Sequence, residues 1–66
     1  MNKEKLLERY PIGSKIRLIS MDDPYAVPAG TLGTVEGVDD IGDILVSWEN
    51  GSSLSVIPGV DRFERV

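Results

Sequence analysis

The spacing of apolar residues changes along the chain, from a helical period near its start to a period of two further on. The helical period predicts a short helix over residues 1–10, with Asn2 as its N-cap. The residues on its apolar side are Leu6, Leu7 and Tyr10. Pro11 ends the helix because a proline pushes the preceding residue out of the helical region. Since two turns of helix are marginal alone in water, we expect this helix to dock on the rest of the chain.

Two runs after the helix have the alternation of apolar and polar residues that is typical of half-buried strands. The first is KIRLIS, residues 15–20, in which Ile16 and Leu18 point to the same side of the strand. The second is TLGTVEGV, residues 31–38, whose core candidates Val35 and Val38 are three positions apart rather than two. This spacing predicts a β-bulge near Glu36-Gly37.

The second half of the chain predicts three more strands. DILVSWEN, residues 43–50, alternates again, and Asn50-Gly51 after it is the strongest short hairpin signal in the chain. The apolar residues on one face of this run are Ile44, Val46 and Trp48. SLSVI, residues 53–57, is the predicted partner strand, and a turn over residues 58–61 leads to a last short strand, RFERV, over residues 62–66. We expect Phe63 to be the apolar residue of that strand.

Five short strands in so few residues cannot form a sandwich, but they can close a small, twisted barrel. The order of strands and connections is that of an SH3-like barrel, in which residues 20–30 occupy the place of the long first loop. The sequence therefore predicts a mainly β fold: a five-stranded SH3-like barrel over residues 12–66, preceded by a short N-terminal α-helix over residues 1–10.

Length and composition limit the chemistry that this chain can perform. Its 66 residues allow one domain, which buries only about 60% of its unfolded surface and leaves no room for a deep cleft. Cysteine and histidine are both absent, which removes thiol catalysis, the commonest general base and the commonest zinc ligand. We therefore predict that the protein is not an enzyme and uses no cofactor. Asp39, Asp40 and Asp43 lack the alternating ligands of a calcium loop, so we expect a solvated turn and no metal site.

The charge of the chain disfavours nucleic acid as a partner, and the absence of a long apolar run predicts no membrane partner. The formal net charge is −4 and the pI is near 4.5, so long-range electrostatics would repel a phosphate backbone. No run approaches the roughly 20 apolar residues that span a bilayer, and the first ten residues lack the apolar core of a signal peptide. These features predict a cytoplasmic protein.

The long loop Ser20–Gly30 contains an acidic pair, two prolines and a tyrosine, which is more than a turn requires. Because loops on rigid scaffolds often carry function, we expect a protein partner to bind a face formed by this loop, the turn 39–43 and the nearby tryptophan. The candidate partner-binding residues are Asp22, Asp23, Tyr25, Asp39, Asp40 and Trp48. The alternative for the two aromatic residues is structural: Tyr25 covers one end of the barrel and Trp48 belongs to the core.

The sequence leaves two alternative functions open, nucleic-acid association and inhibition of a host protein. Four cations near the first and last strands predict a small basic stripe for nucleic acid, as in a nucleic-acid-associated accessory protein. These residues are Lys15, Arg17, Arg62 and Arg65, and edge-strand charges that prevent aggregation explain them equally well. In the third hypothesis, the chain inhibits a host protein by binding in its nucleic-acid groove. The acidic residues that would occupy the groove are Asp22, Asp23, Asp39 and Asp40.

Several linked motifs over roughly residues 12–66 resemble a small family of bacterial and phage proteins, common on mobile elements, that is known only as a domain of unknown function. The motifs are Met21, Asp23 and Pro24; Gly30 to Val35; Val38 to Asp40; Trp48 to Gly51; and Gly59, Asp61 and Phe63. The resemblance implies an SH3-like fold and no established activity.

Overall fold

The sheet is built from the segments in which apolar residues alternate. In the computed structural model, which describes residues 3–66, helix α1 is followed by four strands that form one antiparallel sheet in the order β3-β2-β1-β4. The elements are α1 Lys3–Arg9, β1 Lys15–Ser20, β2 Leu32–Val38, β3 Ile44–Trp48 and β4 Arg62–Arg65. The predicted N-cap Asn2 lies outside the described residues. The described chain is therefore mainly β with one short helix, as predicted.

The register of β2 against β3 contains the irregularity that the sequence predicts. Val35 pairs with Val46, but the next pair is Gly37 with Leu45, so one residue of β2 has no partner in the ladder. The predicted β-bulge at Glu36-Gly37 is confirmed. Because the bulge shifts the alternation by one position, both Val35 and Val38 face the core.

The first and last strands are neighbours in the sheet. β1 pairs antiparallel with β4, with Arg17 opposite Glu64 and Leu18 opposite Phe63, and the register shifts between Leu18 and Ser20. β1 and β4 therefore lie side by side although they are separated by most of the chain.

The core lies between one face of the sheet, helix α1 and the chain after β3. Its buried apolar side chains are Leu6, Ile16, Leu18, Val27, Val35, Val38, Ile44, Val46, Trp48 and Val56. Leu6, only 1% exposed, places the helix on this core, and Tyr10 packs against Phe63 with 5.1 Å between ring centroids. Burial of Leu6 contributes about 1.5–3 kcal/mol, which compensates for the low intrinsic stability of a seven-residue helix.

The chain reverses at Asn50-Gly51, as predicted, but through a loop of three residues rather than two. The Trp48 carbonyl accepts from Gly51 N–H at 3.0 Å, and Trp48 N–H donates to the Ser52 carbonyl at 3.0 Å. Gly51 has φ +90°, the left-handed conformation that closes such a loop. Asn50 supports the turn by accepting from Ser52 N–H through its side-chain Oδ1 at 3.0 Å.

The predicted strand over residues 53–57 makes a single bridge, between Val56 and Ile44, and is not a strand. Both backbone groups of Leu54 bond to side chains rather than to the backbone of β3. Its carbonyl accepts from Nε1 of Trp48 at 2.9 Å, and its N–H donates to Oγ of Ser52 at 3.2 Å. The structure therefore has four strands in one open sheet and does not confirm a five-stranded barrel. No helix within residues 3–66 has the length and apolar character needed to cross a membrane.

Candidate functional site

The long first loop is fixed at both ends. Gly30 N–H donates to the Leu18 carbonyl at 2.7 Å, and Leu18 N–H donates to the Thr31 carbonyl at 3.0 Å, so the end of the loop pairs back onto β1. Val27 is 3% exposed and belongs to the core. At the start of the loop, Ser20 pairs with Arg62 of β4 and Met21 packs against the core. Apolar contacts and backbone hydrogen bonds therefore hold both ends of the loop against the sheet.

The acidic pair and the tyrosine lie at the exposed tip of this loop. Asp23 Oδ1 accepts from Tyr25 N–H at 2.7 Å, and the Asp23 carbonyl accepts from Ala26 N–H at 3.0 Å. This Asx turn defines the backbone of residues 23–26. It presents the Tyr25 side chain, which is 84% exposed, to solvent, and Asp22 is exposed beside it. Tyr25 therefore does not cover an end of the sheet.

Trp48, a predicted partner-binding residue, is instead part of the core. Its side chain is 3% exposed, and its Nε1 donates to the Leu54 carbonyl. Gly33, opposite it on β2, leaves the space for the indole: a Cβ at Gly33 would lie 2.7 Å from Cε3 of Trp48 and 2.5 Å from Cγ1 of Val46. Burial removes Trp48 from any partner-binding surface of this structure.

The other two predicted acidic residues lie in the turn between β2 and β3. Asp39 Oδ1 accepts from the N–H groups of Ile41 and Asp43, at 3.2 and 2.8 Å, so this carboxylate shapes the turn. Asp40, whose side chain is 96% exposed, forms an ion pair with Lys3 at 3.3 Å. In the described residues, no three acidic side chains are grouped as metal ligands.

The two acidic sites do not form the single face that the sequence predicts. The first loop precedes the start of β2, and the 39–43 turn follows its end. β2 has seven residues, which places its ends about 20 Å apart at roughly 3.3 Å per residue. A partner that contacts the first loop would have to extend along the whole sheet to reach Asp39 and Asp40.

The four predicted nucleic-acid-binding cations are divided between two sides of the sheet. Lys15 and Arg17 lie on the outer face, where Lys15 donates to Oγ1 of Thr34 and Arg17 pairs with Glu64 at 2.9 Å. Arg65 lies opposite the buried Ile16 and therefore on the other face, where its Nη1 donates to the Arg9 carbonyl at 3.3 Å. Arg62 lines a groove beside helix α1. The four side chains thus do not make one continuous stripe.

Sequence reasoning missed this groove, which we name the α1–β4 groove. It has a volume of about 330 Å³ and lies between helix α1, the turn 57–61 and the start of β4. Its main side chains are Leu6, Arg9, Tyr10, Ile19, Arg62 and Phe63. They come from the helix, β1 and β4, which are far apart in the chain, so no local pattern could have indicated them.

The sequence also did not indicate that Asp61, a buried residue at the base of the α1–β4 groove, has a structural role. Asp61 is 7% exposed, and its Oδ2 accepts from Ile57 N–H at 2.9 Å while its own N–H donates to the Ile57 carbonyl at 2.8 Å. These two hydrogen bonds fix the turn 57–61, which leads into β4. The only signal in the sequence was the Pro-Gly turn before it.

Neither a curated protein nor a solved structure matches the chain. One family model matches residues 2–66, which is nearly the whole chain and includes helix α1 as well as the sheet. Its description, Domain of unknown function (DUF4314), assigns no activity. A match of this extent shows membership, and the chain belongs to the DUF4314 family.

Proposed function

We propose that the protein is a non-enzymatic binding module that recognises a protein partner through the tip of its first loop. We name this tip the loop surface; its residues are Asp22, Asp23 and Tyr25. The observation that carries the proposal is that Tyr25 is 84% exposed on a loop whose ends are anchored. Folding alone gives no reason for a large aromatic side chain in that position.

The chemistry of the loop surface favours a partner with a basic or polar binding face. Tyrosine is enriched among the residues that dominate binding energy, because it buries a large area and loses little side-chain entropy. The Asx turn at Asp23 fixes the backbone before binding, which lowers the entropy lost when a partner binds. Asp22 and Asp23 add negative charge, which steers a positively charged partner toward the loop. An acidic inhibitor of a host nucleic-acid-binding protein would use the same surface.

We also propose that the fold is an SH3-like barrel in which the fourth strand is reduced to a single bridge. The support is the order of elements, the pairing of β1 with β4, and the Val56 bridge beside β3. Amide hydrogen exchange would test this. A barrel predicts protection of the Val56 N–H comparable with that of the β3 amides. Exchange of the Val56 N–H at the rate of an exposed loop would contradict it.

The experiment for the proposed function compares two variants that each remove a large side chain of nearly equal fractional exposure. Tyr25→Ala removes the side chain from the loop surface, and Ile41→Ala removes one that is 83% exposed in the 39–43 turn. Each purified protein is immobilised and the partners captured from native lysate are quantified by mass spectrometry. We expect Tyr25→Ala to lose a partner that Ile41→Ala retains, with circular dichroism unchanged in both.

Capture is then repeated with the purified partner to obtain a dissociation constant. Removal of a binding hot spot weakens affinity by roughly 2 kcal/mol or more, which is about thirtyfold. Equal affinity of Tyr25→Ala and the unsubstituted protein would show that the partner binds elsewhere. Asp22→Lys should weaken the binding of a basic partner further, and the loss should be smaller in high salt.

Nucleic-acid association, as an accessory of a phage or mobile element, is the alternative proposal, and it has less support. Of its four candidate cations, Arg17 is paired with Glu64 and Arg65 lies on the opposite face from Lys15. Polarisation of a labelled duplex across a salt series separates this function from protein binding. Direct phosphate contacts predict a steep loss of affinity as salt rises, and absence of binding at low salt removes the alternative.

A further inference from the structure

The α1–β4 groove exists because helix α1 contacts the sheet at a few points and leaves space between them. Leu6 enters the core and Tyr10 packs on Phe63, while the turn 57–61 forms the opposite wall. The resulting volume of about 330 Å³ is at the lower end of the roughly 300–1,000 Å³ typical of ligand sites. It is large enough for one apolar side chain and its backbone.

Apolar surface is left uncovered in this groove. Ile19 is 43% exposed although it lies on a strand, and Tyr10 and Phe63 are half-buried. Three adjacent apolar side chains in a concavity form a better contact surface than apolar residues scattered singly over a protein.

Two arginines border this apolar surface, and neither forms an ion pair within residues 3–66. In the described part of the chain, Arg17 and Lys3 form ion pairs, but Arg9 and Arg62 do not. Arg9 lies over the ring of Tyr10 at 5.8 Å, which fixes its position at the edge of the groove. The lining also contains Asp61, whose Oδ2 is engaged by Ile57 N–H. The two arginines outnumber this one carboxylate, which points into the turn 57–61 through its bond to Ile57, so the lining of the α1–β4 groove has an excess of positive charge on a chain whose net charge is −4.

We propose that the α1–β4 groove is a second docking site, which binds an extended acidic segment of a partner protein. An apolar side chain of the segment enters between Tyr10, Ile19 and Phe63. Carboxylates beside it bond to Arg9 and Arg62, because the planar guanidinium matches a carboxylate in two parallel hydrogen bonds. The charge preference of this site is opposite to that of the loop surface, so the two sites select different segments.

A peptide segment fits these observations better than nucleic acid does. Two free guanidinium groups are few for a phosphate backbone, whose binding rests on many simultaneous charge contacts. The carboxylates elsewhere on the chain repel a polyanion, whereas a short peptide places its negative charge only at the two arginines.

Fluorescence polarisation with defined peptides tests the proposal on the full chain. The probe is a fluorescein-labelled peptide in which one leucine is flanked on each side by two aspartates. One control peptide replaces the aspartates by lysines, and another replaces the leucine by serine. We expect the probe to bind with a dissociation constant below about 1 mM and both control peptides to bind at least about tenfold more weakly.

Three charge reversals locate the site. Arg62→Glu and Arg9→Glu should each weaken binding of the probe at least about tenfold. Lys15→Glu makes the same change in net charge on the outer face of the sheet and should change affinity less than about twofold at physiological salt. Arg62→Gln, which removes the charge without reversing it, serves if Arg62→Glu does not fold by circular dichroism. Tyr25→Ala should bind the probe normally, which separates this site from the loop surface.

Four results would overturn the proposal. They are the absence of probe binding, equal binding of the lysine peptide, no effect of the Arg9 and Arg62 substitutions, and tighter binding of a short thymidine oligonucleotide that competes with the probe. Conversely, tighter binding of the lysine peptide by the double variant Arg9→Glu/Arg62→Glu would support direct charge recognition in the groove.

Discussion

Two aromatic residues near the start of β2 have opposite environments. Trp48 is 3% exposed, and its indole lies over Gly33 and bonds to the Leu54 carbonyl. Tyr25, in the loop that leads to β2, is 84% exposed, and its backbone rather than its ring is held in place. The difference lies in the residues opposite: a glycine opens space for the indole, whereas the Asx turn at Asp23 directs Tyr25 away from the sheet. An aromatic residue thus becomes core or surface according to its neighbours.

Trp48 stabilises the fold, whereas Tyr25 is the residue through which we propose that a partner binds. Burial of Trp48 removes a large apolar area from water and satisfies the indole N–H, so it contributes to folding. Tyr25 contributes little to folding because its side chain has few contacts to lose. Substitutions at the two positions should therefore affect different measurements.

The largest expected effect is that of Trp48→Ala. Removal of a buried tryptophan lowers the free energy of unfolding by about 3–5 kcal/mol, against a total of about 3–10 kcal/mol for a chain of 66 residues. We expect the variant to be largely unfolded by far-UV circular dichroism at 25 °C. Tyr25→Ala should stay within about 0.5 kcal/mol of the unsubstituted protein in urea unfolding. Similar losses for both variants would contradict the comparison.

The next effect concerns the glycine that makes room for the indole. Gly33→Ala places a Cβ within 3 Å of Val46 and Trp48, so the free energy of unfolding should fall by about 1–3 kcal/mol. Gly37→Ala, on the same strand, is the matched control because its Cβ would meet only Leu45 at 3.9 Å. Urea unfolding of the two variants measures the difference. If Gly33→Ala were as stable as Gly37→Ala, the space opposite Trp48 would not be the cause of its burial.

Asp61 and Asp23 allow the same comparison for hydrogen bonds, because one aspartate is buried and the other is exposed. Asp61→Ala removes a buried carboxylate and leaves the partly buried Ile57 N–H without its partner, so it should lower the free energy of unfolding by about 1–3 kcal/mol. Asp23→Ala removes a bond to the exposed Tyr25 N–H, which water can replace, so we expect a loss below about 1 kcal/mol. Both are measured by urea unfolding. A larger loss for Asp23→Ala would mean that the first loop is a major source of stability.

The smallest effect is expected on the outer face of the sheet. Arg17 and Glu64 lie opposite each other at 2.9 Å, and both side chains are about half exposed. A double-mutant cycle with alanine at both positions should give a coupling energy of about 0.2–1 kcal/mol that decreases with salt. A coupling energy above this range that is insensitive to salt would show that the pair is shielded from solvent.

Much of the sheet was predictable because its signals are local. The alternation in residues 15–20 and 43–50 placed Ile16, Leu18, Ile44, Val46 and Trp48 on the buried face, and all five are buried. The spacing of Val35 and Val38 indicated the bulge, since only an extra residue brings both to the same side. Asn50-Gly51 indicated the chain reversal through the conformational freedom of glycine.

The candidate site was less predictable because it depends on distances that a sequence does not contain. Asp22 and Asp40 were expected on one face, but the antiparallel strands place their turns at opposite ends of β2. The α1–β4 groove was not expected at all, because Arg9 and Arg62 are separated by most of the chain. Strand register also decides which basic residues are paired. Arg17 forms an ion pair with Glu64 because the register of β1 against β4 places the two residues opposite each other.

The sequence by itself determined the mainly β character of the chain, the helix before the sheet, the bulge and the turns, because each follows from residues within a few positions of one another. Tertiary structure decided whether residues 53–57 would pair as a strand. The Leu54 carbonyl bonds to the indole of Trp48, six residues earlier, and the indole occupies space that a Cβ at Gly33 of another strand would fill. A contact among three segments has no periodic signal, so it emerges only when the chain is folded.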